Sequence, residues 1–156
     1  MKRFISILAF IFFTFLAGYG QDYKTSLGLR LGLPFGVTIR HFINEDDALE
    51  GILASRWQGF IITGLYEKEK WMGKYPGLNW FWGGGAHIGF WGQGENPYLT
   101  SANGGSVIGI DGVVGIEYTF DDFPVNLGVD LLPSINLIGV TGWGGINGAL
   151  SIRYVF

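Results

Sequence analysis

His87 stands among glycines in the stretch GGGAHIG, and Asp111 and Glu117 lie in the next apolar segment of the chain. An imidazole within reach of a carboxylate is the working pair of general-base chemistry. With Ser106 as a nucleophile, the set would suit an acyl hydrolase. No G-x-S-x-G elbow accompanies it, and a lone histidine with carboxylates also serves as a hydrogen-bonded structural pair. The same stretch lacks the Lys-Ser/Thr of a phosphate-binding loop. His41 is far away in sequence, there is no cysteine, and two separated histidines make no metal site. No catalytic, cofactor-binding or metal-ligating residue is therefore assigned, and no cofactor is expected.

The other polar candidates are ionic. Lys24, Arg30, Arg40, Arg56 and Arg153 supply five cations, and Glu50, Glu67, Asp111, Glu117 and Asp130 supply five anions. Each stands in a segment where large apolar residues alternate with small or polar ones, on the small-residue side. Buried together, such charges must pair to offset their desolvation. Arg30, Arg40 and Arg153 come from the ends of the chain, whereas Asp111, Glu117 and Asp130 come from its later middle. A closed, narrow fold would bring those two groups face to face, and this set with His87 forms the expected internal ion-pair network.

The elements that must position these residues are strands. Eight segments alternate with period two: residues 23–33, 35–43, 48–57, 60–67, 78–91, 107–120, 125–132 and 144–156. The turn-forming stretches LPFG, NEDD, QG, a lysine-rich loop over 68–77, GENPYLTSANGG, DDFP and PSINLIGVTGWG separate them. The fourth segment alternates least well, because Ile61 and Leu65 share a face with Thr63 and Glu67. The long uncharged stretches carry too many Gly, Pro and Asn residues to be membrane helices.

Composition decides which face lies outside. Charged residues are only 15% of the 156, hydrophobic residues 48%, aromatics 17%, and glycine contributes 27. Low hydrophobicity with high charge marks disorder, so disorder is excluded. The net charge of −3 and the lack of a basic stripe argue against a nucleic-acid partner. Glycines cannot fill a soluble core, and so few charges cannot solvate an outer surface. With the faces reversed, the apolar side meets lipid and the small polar side fills a lumen. The expected fold is all-β: an eight-stranded antiparallel transmembrane barrel in an up-and-down meander. Its backbone polar groups demand closure within hydrocarbon. Trp57, Tyr66, Trp80, Tyr118, Phe120, Tyr154 and Phe156 suit interfacial girdles.

The first twenty residues stand apart. Lys2 and Arg3 precede the apolar run FISILAFIFFTFLAG, and Gly18 and Gly20 are small residues before Gln21. This is the pattern of a secretory signal peptide over 1–20, cut before Gln21, with the barrel over 21–156.

The terminal GALSIRYVF, with Leu150, Ile152, Tyr154 and Phe156 on one face, resembles the carboxy-terminal signal read by the assembly machinery of outer-membrane barrels. Together with GLRLGLPFGVTIRHF, ALEGIL, RWQGFIITGLYE, LNWFWGGGAHIGF and GIEYTFDDFPVNLGVDLLPSINL, it makes the chain resemble the small OmpA/OmpX-type barrels. More closely, it is similar to a group of "outer membrane β-barrel" proteins of Gram-negative bacteria. The resemblance implies an outer-membrane location, contact with membrane lipid and with the assembly machinery, and no reaction. One feature departs from the pattern. With the termini in the periplasm, the long 68–77 loop would be periplasmic, where turns are ordinarily short.

The expected function is structural or surface-interacting, with a lumen plugged by side chains. The loop over 92–105, with Tyr98 and Leu99 at its tip, is the candidate for an unknown surface ligand. The alternatives are a lipid A-modifying enzyme using His87, as some barrels of this size are, and a narrow conduit for small apolar solutes.

Overall fold

The computed structural model describes residues 24–92 and 105–156. They form eight strands: β1 (Thr25–Gly32), β2 (Phe35–Phe42), β3 (Asp47–Arg56), β4 (Gly59–Trp71), β5 (Leu78–Trp91), β6 (Gly105–Thr119), β7 (Val125–Ile138) and β8 (Gly142–Val155). Each pairs antiparallel with the next, and β8 pairs with β1, so the sheet closes in chain order. The carboxy-terminal residue is tied into this closure: Phe156 N–H donates to the Thr25 carbonyl at 2.9 Å, and Thr25 N–H donates back at 3.2 Å. The proposed signal peptide and the tip of the 92–105 loop, with Tyr98 and Leu99, lie outside the described residues.

Alternation along the strands sorts the side chains into an inside and an outside, as period-two geometry requires. The result is inverted relative to a soluble barrel. Arg40, Arg153, Glu67 and Ser151 are almost wholly buried, while Leu29, Ile39, Leu53, Ile116, Val129 and Leu131 stand about half exposed around the wall. Two aromatic belts bound the aliphatic band. At the end holding the termini, Tyr118 packs edge-on against Phe120 at 4.8 Å, and Tyr154 stacks on Phe156 at 6.1 Å. At the opposite, hairpin end, Phe60 and Phe90 lie 5.1 Å apart. A wall with an apolar band between aromatic belts matches a lipid bilayer between its interfaces.

Glycine on the inner face answers to crowding. A Cβ on Gly85 would lie 1.9 Å from the Gly64 carbonyl oxygen of β4, and one on Gly28 would lie 2.1 Å from that of Ile152 in β8. Glycine at these positions lets neighbouring strands approach closely around a narrow lumen. Other glycines leave room for side chains: Gly115 for Phe81, and Gly59 and Gly89 for Trp91, which lie inside as large buried rings.

Three strand limits differ from those expected. β4 continues through Lys68, Glu69 and Lys70 to Trp71, paired with Trp82 through Asn79 of β5. The first four residues of the presumed lysine-rich loop are thus strand, and the connection shrinks to residues 72–77. Its charges had masked an unbroken alternation, in which Thr63, Leu65, Glu67 and Glu69 are buried and Gly64, Tyr66, Lys68 and Lys70 are exposed. β7 likewise runs through Pro133 to Ile138, and β8 starts at Gly142, leaving a turn of residues 139–141. The presence of Pro, Ser and Asn in that stretch suggests a loop. The register shift at Ser134/Ile135 lets the strand absorb them.

Candidate functional site

The lumen is built from two dissimilar parts. In the half nearer the termini, Arg40 reaches inward from β2 among three carboxylates. Its Nη1 hydrogen-bonds Glu117 of β6, its Nε lies 2.8 Å from Glu67, and its Nη2 lies 3.1 Å from Glu69, both on β4. The last two are ion-pair contacts rather than aligned hydrogen bonds. The guanidinium also faces the rings of Phe81 at 4.7 Å and Phe42 at 5.1 Å, a favourable placement for a cation. Arg153 of β8 donates to Glu50 at 2.9 Å and to Asn126 at 3.3 Å. Thr38 donates to Glu50, and Asn126 donates to Glu117 and Thr119 at 2.9 Å each. Arg30 of β1 meets Asp130 of β7 in a two-pronged pair, with Nη1 2.7 Å from Oδ2. Bidentate guanidinium–carboxylate contacts of this kind are among the stronger and more directional hydrogen bonds.

An apolar layer of Ile52, Ala54, Leu65, Phe81, Val113 and Leu132 packs within the same cross-section. Ions and apolar side chains together separate two cavities. One, of about 610 Å³, opens at the terminal end beside Lys24, Asn44, Glu45 and Asp121, with Arg40, Glu69 and Glu117 in its lining. The other, of about 360 Å³, lies at the hairpin end. No residue lines both.

The hairpin-end cavity holds the histidine. His87 Nδ1 is 2.9 Å from both carboxylate oxygens of Asp111, and its Nε2 is 3.1 Å from the Asn136 side-chain oxygen. Both ring nitrogens are thereby engaged. Ser106 pairs with Phe90 and faces outward, away from His87, so the Ser–His–carboxylate set of an acyl hydrolase is not assembled. Ser134 lines this cavity too, but its hydroxyl donates to the Gly145 carbonyl at 3.4 Å. Among the described residues no cluster is placed to hold a metal ion.

Two expected network members, Lys24 and Arg56, sit elsewhere. Lys24 precedes β1, is exposed and makes no ion pair among the described residues. Its backbone carbonyl accepts from Phe42 N–H at 2.7 Å, while its side chain stands at the open end of the barrel in solvent. Arg56, at the last position of β3, stacks on Trp57 at 4.1 Å and donates to Asn147 at 3.0 Å instead of meeting a carboxylate. Trp57 and Gln58 form the two-residue β3–β4 turn with positive φ, so Trp57 borders the cavity mouth rather than a membrane girdle. Glu69, by contrast, belongs to the network, although its setting of lysines reads as a loop. Its signal was the parity it shares with Glu67. These changes remove two cations and add an anion, so the expected formal charge balance of zero does not hold.

No family model and no curated protein matches the chain. A solved structure does: the N-terminal β-barrel domain of Pseudomonas aeruginosa OprF, at TM-score 0.66 and 14% identity, over 87% of this chain and 100% of that one. The fold is that of the small OmpA-type outer-membrane barrels. At this identity the likeness concerns backbone architecture, and the lumen residues are this chain's own.

Proposed function

We propose that this barrel resides in the outer membrane, with its termini toward the periplasm and its lumen closed. Its role is non-enzymatic and is exercised at the hairpin end, on the cell surface. The observation that carries the reading is the cross-section of Arg30, Arg40 and Arg153 with their carboxylates and the Phe81 layer, which fills the space between the two cavities. An eight-stranded barrel is just wide enough to be filled by side chains, so a network spanning it leaves no continuous water path. The apolar wall and aromatic belts support the membrane location. The alternation of Leu150, Ile152, Tyr154 and Phe156, held in the closing strand, supports recognition by the assembly machinery.

The test has two parts. Cell fractionation with mass spectrometry should recover the chain in the outer membrane, beginning at Gln21; recovery as a soluble periplasmic protein would overturn the location. Refolded protein in planar bilayers should show no unitary conductance, and steady channel steps would overturn the closed lumen.

A further inference from the structure

Arg56 is the lumen-facing arginine that meets no carboxylate among the described residues, and it stands at the mouth of the hairpin-end cavity. The other charges there are already matched: Arg30 is spent on Asp130, and Asp111 on His87. The Trp57 ring takes one face of the Arg56 guanidinium, and Asn147, reaching from β8, takes one Nη1 hydrogen. Stacking occupies the face of the group and leaves its edge, where the remaining N–H donors point. The indole N–H of Trp91 holds the Arg56 backbone carbonyl at 2.9 Å, which fixes the strand end that carries the arginine. Beside this head group the wall is apolar, formed by Trp91, Ile61, Val107, Leu132 and Trp143. A volume of about 360 Å³ falls at the small end of ligand pockets, and apolar walls with a few placed polar groups are their usual construction.

We propose that this cavity binds a small organic anion, a carboxylate carried on an aromatic or aliphatic body. The carboxylate meets the edge of Arg56 beside Asn147, and the body lies against Trp91. The site deepens the surface role proposed above, and it rests on that reading only for the side from which the anion enters. Binding is measured on purified protein and conductance in bilayers, so either can fail without the other.

The experiment uses folded full barrel in detergent micelles with the tryptophan indole nitrogens labelled. Phenylacetate is titrated against its uncharged counterpart, phenylacetamide. Phenylacetate should shift the Trp91 indole N–H signal saturably, with affinity about tenfold or more above that of the amide, as expected for a hydrogen-bonded charge. Arg56→Gln should abolish that preference, and Arg56→Lys should retain part of it. Asn147→Asp keeps the arginine but supplies it with an internal carboxylate, and should weaken phenylacetate about as much as Arg56→Gln. Heat-modifiable gel mobility checks that each variant is folded. Absence of a saturable shift, equal affinity for acid and amide, or unchanged phenylacetate binding in folded Arg56→Gln and Asn147→Asp would each overturn the proposal and leave Arg56 as an anchor of the β3–β4 turn.

Discussion

The two halves of the lumen use the same residue types for different ends. Toward the termini, Arg40 and Arg153, with Arg30 at the border of the hairpin-end cavity, share one packed cross-section with Glu50, Glu67, Glu69, Glu117 and Asp130, and these side chains are buried. Toward the hairpins, Arg56 and the His87–Asp111 pair line an open cavity among tryptophans. Charges in the first half have only each other. A group that loses its partner there keeps most of its desolvation cost, because it stays buried among the other side chains of the cross-section. In the second half the His87–Asp111 pair is matched internally, whereas Arg56 borders a cavity large enough for water or a ligand and keeps donors that its internal partner does not take. The comparison teaches that burial alone does not make a lumen residue structural. What counts is whether its donors and acceptors are all consumed.

The strongest way to break this contrast is Arg153→Ala. It leaves Glu50 without its guanidinium and should lower stability by about 3–5 kcal/mol, read as a fall in the urea midpoint of detergent-folded protein. A midpoint equal to that of the parent would mean that the terminal half is solvated. Asp130→Ala comes next, in the lower part of the same range, because a single partner, Arg30, is stranded. The exchanged pair Arg30→Asp with Asp130→Arg should recover part of that loss, and no recovery would show that the two side chains are held by different neighbours. His87→Ala should cost about 1–3 kcal/mol for an unsatisfied polar group, toward the low end, because the open cavity offers Asp111 replacement water. Lipid A from cells carrying this variant should be unchanged by mass spectrometry, and altered acylation would return the histidine to catalysis. Smallest of all, Lys70→Ala, exposed near the end of β4, should fall within about 0.5 kcal/mol of the parent. A large effect there would place the lysine in the network rather than outside it.

Part of the candidate site was legible because parity is a local property. The side of the sheet taken by Arg30, Arg40, Glu50, Asp111, Glu117, Asp130 and Arg153 follows from their neighbours one residue away. Glu69 escaped because lysines on the other parity raise the local charge, and a charged stretch reads as a loop unless the alternation is followed through it. Lys24 and Arg56 carried the right parity and the wrong height, since residues at the strand ends lie beyond the packed cross-section where the carboxylates stand.

The sequence by itself determined the strand period, the inverted distribution of apolar and polar faces, and hence a closed barrel. Those features are written in side-chain alternation and in the shortage of charge, and backbone hydrogen bonding leaves a membrane-spanning strand no other option. Only the tertiary structure decided which charges meet. Arg40 touches Glu117 from 77 residues away and Arg153 touches Glu50 from 103. Such pairings depend on the stagger of strands around the closed wall, which sets the height of each residue along the axis and which no local pattern encodes. The same stagger left Arg56 above the network, opposite Asn147 instead of a carboxylate, and so made a cavity where the sequence alone suggests a continuous plug.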